Sequence, residues 1–213
     1  MELIAWIAAF ILAITVHETA HAWMADKLGD PTARLMGRLS LNPMVHYDPV
    51  GTTLLLVLTV MRAMGLPVIP FGWAKPVPFD PYNLKNPRRD SALISFAGPG
   101  ANIVLAIIVS IFLRLFPGMP FLYLLAVPTI MLNILLALFN LVPIHPLDGG
   151  KIFIGLLPEK DAREAEIFLR RYGMIILLFL IFPTIGGTSP LFMVLSPILN
   201  FILGILIPGN PLF

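Results

Sequence analysis

Six long apolar runs, at about 3–25, 50–70, 91–116, 121–144, 173–186 and 190–207, leave this chain little to fold against except lipid. A helix that crosses a bilayer needs about 20 consecutive apolar residues, with a range of about 17–25. The first, third and fourth runs meet that length. The fifth and sixth are shorter or interrupted by Pro183, Gly186, Gly187 and Pro197, which suits tilted, kinked or partly interfacial helices. Charged residues make up only 12% of the 213 and hydrophobic ones 58%; a soluble domain carries about 25% charged residues. The expectation is a single all-α polytopic membrane domain over 1–213, with about five to six transmembrane helices. The first run is expected to be a retained helix rather than a cleaved leader. No basic stretch precedes it, Glu2 is acidic, and the apolar pattern runs on into His17 and Glu18.

The basic residues order these runs. Lys27, Arg34 and Arg38 follow the first; Lys75, Lys85, Arg88 and Arg89 precede the third; Lys151, Lys160, Arg163, Arg170 and Arg171 follow the fourth. The turns at Pro117–Pro120 and Gly186–Pro190 carry no charge. By the bias of Lys and Arg toward the cytoplasm, the three basic loops face in and the two uncharged turns face out. Basic loops then lie on both sides of 50–70. A run bracketed by Gly51, Gly65, Pro67 and Pro70, and containing Arg62, is expected to enter and leave on the same side as a re-entrant or interfacial segment. An ordinary tilted span is the alternative. No basic stripe runs along the chain, so nucleic acid is not implied as a partner.

Phe71–Asp80 alternates Pro76 and Pro78 with Val77 and Phe79, between Pro70 and Pro81. Proline at that spacing excludes helix. The stretch reads as a short extended ribbon, either a rigid connector or an edge against which an unwound substrate strand could pair.

His17-Glu18-Thr19-Ala20-His21 is an HExxH motif. On a helix, residues i and i+4 share a face, so both imidazoles can reach one ion, and the glutamate falls beside it where it can polarise a water. Ionisable groups within an apolar span are costly and by default functional, and no basic residue precedes Lys27 to pair with them. Glu18 lies eight residues before Asp26, so the motif sits about 12 Å inside the helix end and needs a polar inlet.

A catalytic zinc takes three protein ligands and keeps one open position. With cysteine absent, the third ligand is a carboxylate or another histidine. Asp148 stands after Asn140-Leu-Val-Pro143-Ile-His145-Pro146-Leu and before Gly149-Gly150, where two prolines break the fourth run and let a short carboxylate turn inward. His145 reads first as a hydrogen-bonded structural residue, with a rival ligand or an orienting group as the alternatives. Glu164, among Lys and Arg in a polar loop, is the third ligand of an alternative site at the membrane surface. Asp30, Asp48, Asp80 and Asp90 neighbour proline, glycine or a charge and read as caps or turns, and His46 as structural.

HExxH in the first helix together with NxxPxxPLDGG at a late one resembles the site-2 protease family of intramembrane metalloproteases. Gly37-Arg-Leu-Ser-Leu-Asn-Pro43, Asp48-Pro-Val-Gly-Thr52, Gly72-Trp-Ala-Lys-Pro-Val-Pro78, Asn86-Pro-Arg-Arg-Asp90 and Gly98-Pro-Gly-Ala-Asn102 extend the likeness to its compact prokaryotic branch, which has no PDZ or CBS module. The resemblance implies zinc held by His17, His21 and Asp148, with Glu18 as the catalytic carboxylate and Asn140 near the substrate; a helix-breaking cap before Pro143 is the equal alternative for Asn140. It implies that Gly98, Pro99 and Asn102 shape the central helix, a place that close packing through small residues also explains. The implied activity is hydrolysis of peptide bonds in or beside transmembrane segments of membrane-protein substrates, in a prokaryotic inner membrane, with the site facing the cytoplasm. A membrane zinc carrier is the non-enzymatic alternative, though all four histidines lie toward one face and Glu18 has no purpose in it.

Overall fold

The computed structural model describes residues 1–65, 73–182 and 189–208, apart from the side chains of 55, 56, 59, 62 and 63. The end of the second apolar run, the first two residues of the ribbon, the uncharged turn at 183–188 and the Arg62 side chain lie outside that set. Within it the chain is helical and contains no strand. The helices are α1 Glu2–Lys27, α2 Thr32–Leu35, α3 Gly51–Ala63, α4 Pro87–Leu115, α5 Pro120–Asn140, α6 Asp148–Leu156, α7 Glu159–Ile181 and α8 Pro190–Leu206.

Three of these, α1, α4 and α5, are long and apolar enough to cross a membrane, and α8 is a shorter apolar helix. Their ends follow from local chemistry. Pro87, Pro120 and Pro190 stand in the first turns of α4, α5 and α8, where a missing N–H costs nothing. The Ser189 hydroxyl accepts the Phe192 amide to cap α8. Asp48 accepts the amides of Val50 and Gly51 at the start of α3, and Asp80 accepts that of Tyr82. Asp90 accepts the Asn86 amide at the start of α4. These three aspartates are caps, as read from the sequence.

The long helices run up and down. His17 meets Asn102 and His21 meets Ile94, so α1 and α4 are antiparallel. The chain therefore leaves α1 and enters α4 at the same end of the bundle, and the intervening segment makes no net crossing. At 13 residues, α3 spans about 20 Å, short of the roughly 30 Å hydrocarbon thickness. Both facts fit a segment that enters and leaves on one side. From α4 the chain turns at Gly118 and returns along α5 to that first end. There α7 packs its later, apolar half on the α5–α6 connection, with Leu177 against Ile144 and Leu147. The course of α8 is parallel to α4: it begins toward the α5–α6 end of the bundle, where Ser189 Oγ donates to Leu180 O, and finishes where Ser110 and Arg114 of α4 bond the carbonyls of Leu206 and Ile205. Ser189 thus lies toward the end of the basic loops, which corrects the outward placement read from the lack of charge around it.

Residues 73–80 take no regular secondary structure and run extended across the same end. Pro76 and Pro78 have no N–H to offer. The Lys75 amide donates to His46 O at 2.9 Å, and the Asp80 amide to Asp30 Oδ2 at 2.7 Å. No strand among the described residues pairs with the ribbon.

Candidate metal centre

Burial and hydrogen bonding decide what α1 carries at its inner end. His17 and His21 are both buried and stand edge to face, with ring centroids 4.6 Å apart. His17 Nδ1 lies 2.6 Å from Asn102 Oδ1. Both N–H groups of that Asn102 amide are already given, to Ala13 O at 2.9 Å and Asn133 Oδ1 at 2.7 Å. Asn102 Oδ1 can therefore only accept, and His17 Nδ1 is the donor. His21 Nδ1 lies 2.7 Å from Ile94 O, again a pure acceptor. Each neutral ring holds its proton on Nδ1 and turns the Nε2 lone pair inward.

Both lone pairs point at one carboxylate. Asp148 Oδ2 lies 3.1 Å from His17 Nε2 and 3.2 Å from His21 Nε2, and the three ligand atoms fall within 4.8 Å of one another. Three acceptors facing one another repel unless a cation lies between them. Two imidazoles and a carboxylate, with the far nitrogen of each ring held by an acceptor, are a donor set suited to a borderline divalent ion such as zinc. The residues fit a metal.

The local sequence makes this approach possible. A Cβ at Gly98 of α4 would lie 2.5 Å from His21 Cε1 and Nε2 and 2.8 Å from His17 Cε1, so a glycine is what admits both rings. A Cβ at Gly149 would collide with the carbonyls of Leu141 and Val142. The glycine lets α6 start hard against the turn after α5, with Asp148 in its first turn. The four-residue step from Pro143 to Leu147 and the close seat of Gly149 together swing the carboxylate back toward α1.

Glu18 is half-buried beside this group, and its Oε2 accepts the Val77 amide of the ribbon at 3.3 Å. Asp30 holds the ribbon from below. It is fully buried and accepts from Thr32 N and Oγ1, Asn83 Nδ2 and Asp80 N. Burial pushes its pKa up, but these hydrogen bonds outweigh burial and hold the carboxyl below the usual range. The sequence reading of Asp30 as a turn residue captures its bond to Thr32 and misses the tie to the ribbon.

The other candidates fall elsewhere. His145 is outside the three-residue group; burial, then Lys151 and Arg170, lower its pKa, and Gly173 of α7 packs against its backbone. Glu164 is exposed on α7, also outside the group. His46 is buried, with Nε2 2.8 Å from Ser40 O, in a structural place. Asn140 closes α5 and donates to Leu136 O at 3.0 Å; among the described residues no hydrogen bond joins it to the group. Asn102 and Asn133 are what the sequence reading underweighted. Packing through small residues covers Gly98 but not the Asn102 amide bonded to His17. The signal available was a buried-type amide in the middle of each of two apolar spans.

Membrane-length helices around a histidine–histidine–carboxylate group define the class: an integral membrane protein with an HExxH site. The sequence matches the description of peptidase family M50 over residues 5–127 and 119–180, and the chain belongs to that family. The resemblance to site-2 proteases read from its motifs is thereby borne out. The chain is 38% identical over 203 residues to the Bacillus subtilis protein named "Putative zinc metalloprotease YwhC", covering 91% of this chain and 85% of that protein. It is 29% identical over 190 residues to Rip2 of Mycolicibacterium smegmatis, which carries the same description, covering 82% and 65%. To "Zinc metalloprotease MJ0392" of Methanocaldococcus jannaschii it is 25% identical over 162 residues, covering 73% and 36%. No solved structure gives a significant match to the chain.

Proposed function

We propose that this chain is an intramembrane zinc metalloprotease in which His17, His21 and Asp148 hold the metal and Glu18 is the general base, cleaving peptide bonds in or near transmembrane segments of membrane-protein substrates. The observation that carries the reading is the convergence of two Nε2 lone pairs on Asp148 Oδ2, with both Nδ1 protons committed elsewhere. Bound zinc supplies Lewis acidity and brings the pKa of water toward about 7.

The chain's own residues do the rest. Glu18 accepts the proton of the attacking water and returns it to the leaving amine. Asn102 and the Ile94 carbonyl fix the two imidazoles in one tautomer. A helical substrate hides its carbonyls, so it must unwind locally to be cut; Asn140, at the end of α5, is proposed to hold its backbone there. The basic residues after α1, before α4 and after α5 support a cytoplasmic position for this end of the bundle, and the likeness to the compact prokaryotic branch of the family supports a prokaryotic membrane. That gives water access from that side.

The test is Glu18→Gln in the full chain. Zinc content should stay at the wild-type level, and cleavage of a helix-breaker-containing transmembrane substrate should drop by at least about 10²–10⁴-fold, the range assigned to general acid–base groups. Retained proteolysis in this variant would sink the assignment of Glu18.

A further inference from the structure

A cavity of about 740 Å³ lies between the first turn of α4, the body of α6 and the first half of α7. Arg88 and Arg89 of α4, Lys151 of α6, and Arg163 and Arg170 of α7 line it. Two carboxylates stand against these five cations, Glu159 and Glu166, and Glu166 is engaged by Arg170 at 2.7 Å. Among the described residues Arg88, Arg89, Lys151 and Arg163 form no ion pair. Lys151 Nζ sits 4.6 Å from the centre of the Phe79 ring. Burial lowers the Lys151 pKa; Asp148 and Glu18 oppose that, and Arg170 adds to it. Five cations against two carboxylates leave the lining with an excess of positive charge, and the positive potential it focuses is relieved by an anion.

The cavity's level in the bundle narrows the anion. Its α4 wall is the charged first turn, directly before the apolar stretch of that helix. Leu93 and Phe96, one and two turns further along α4, expose apolar side chains. Cations at the edge of an exposed apolar wall match an amphiphile, with phosphate above and acyl chain below. A soluble anion has no use for the apolar part. Basic pockets at the ends of transmembrane helices are suited to anionic lipid head groups.

We propose that this cavity binds the phosphate of an anionic phospholipid head group such as phosphatidylglycerol. Phe79 and Lys151 both line it, so the bound lipid would touch the ribbon that reaches Glu18 and the helix that begins at Asp148. The inference concerns a site separate from the metal group, and its test needs no catalysis.

The experiment is native mass spectrometry of the full chain, delipidated in detergent and titrated with phosphatidylglycerol or phosphatidylcholine. The wild type should retain the first and not the second. With about 1 kcal/mol per Lys or Arg, Arg88→Gln with Arg163→Gln should weaken phosphatidylglycerol binding about 30-fold. Arg88→Lys with Arg163→Lys should retain it, which shows that the charge and not the fold was lost. Arg171→Gln removes a neighbouring charge that does not line the cavity and should leave binding unchanged. Equal binding by the glutamine double variant overturns the site, and so does equal weakening by Arg171→Gln, which would mean diffuse attraction. If inorganic phosphate or glycerol phosphate binds as tightly as the lipid, the source is a free phosphate and the lipid assignment fails. Binding of an acidic peptide without lipid binding overturns it too.

Discussion

The two ends of this bundle are built from the same helices by opposite rules. At the far end, α4, α5 and α8 meet through Ala106, Leu113, Ala126, Leu199 and Leu203; a buried polar group there, Ser110, is tied to the Leu206 carbonyl. At the near end the same α4 and α5 bury Ser95, Asn102 and Asn133 against His17 and His21 of α1. Lipid solvates apolar side chains about as well as a protein interior does, so the far end gains by fit rather than by expulsion from water. A polar group in that setting must find a partner inside the protein. The near end meets this condition with a chain of amides: His17 to Asn102, Asn102 to Asn133, Asn133 to the Thr129 carbonyl. Polarity is concentrated around the two histidines and Asp148, and its hydrogen bonds fix how the two rings face that carboxylate.

The sharpest way to break that contrast is to remove the carboxylate. Asp148→Ala should abolish stoichiometric zinc, measured by elemental analysis of purified protein, while Glu164→Ala should leave it intact. The reverse pattern would move the site to the membrane surface. Next is the amide chain. Asn102→Ala leaves His17 Nδ1 without its acceptor, and loss of such an orienting partner typically costs 10–100-fold in metal affinity. Asn102→Asp restores the acceptor for Nδ1 but turns its other oxygen on the Ala13 and Asn133 oxygens, so it should recover only part of that loss in a competition titration with a zinc chelator. If both variants bind zinc as the wild type does, Asn102 is packing material and the near end is organised by other means. At the far end, Leu113→Ala should destabilise by about 2 kcal/mol, the lower range for such a truncation, with zinc affinity unchanged. A shift in zinc affinity there would show that the two ends are one cooperative unit.

The same contrast explains what could be read from the sequence. The far end needed only apolar runs of membrane length, so α1, α4 and α5 were legible; the run at 50–70, read as re-entrant or interfacial from the basic residues around it, holds the 13-residue α3. The pair His17 and His21 was legible because a four-residue step on a helix has one geometry. Asp148 was legible because two prolines and two glycines force a sharp return at a fixed depth. The partners that orient the histidines were harder. Asn102 is 85 residues from His17 and carries no periodic signal. Ile94 contributes a backbone carbonyl, which no side-chain pattern announces. Helix α7 was legible in part: its apolar second half read as tilted, kinked or partly interfacial, and the packing of Leu177 on Ile144 and Leu147 adds that it closes over the α5–α6 turn.

The smallest expected effect lies at the junction of the near end with water, where Asp30 anchors the ribbon. Asp30→Asn keeps one acceptor and loses the other, so the Asp80 amide, now 2.7 Å from Oδ2, is left without a charged partner. The expected cost is on the order of 1 kcal/mol, read as faster hydrogen exchange at Val77 and Asp80 with zinc content unchanged. The pH dependence has a definite sign. A carboxylate whose folded pKa is depressed contributes stability above its unfolded value, about 3.9, and loses it as pH falls through the lower folded value. Because hydrogen bonds hold Asp30 below the usual range, ribbon protection attributable to it should be constant from neutral pH down to about 4 and fade only below that. The asparagine variant should lack this acid-side loss. Identical exchange in the two proteins at neutral pH would mean that the ribbon is held by Lys75 and His46 alone, and that the near end needs no ionised group outside the metal site to keep Val77 beside Glu18.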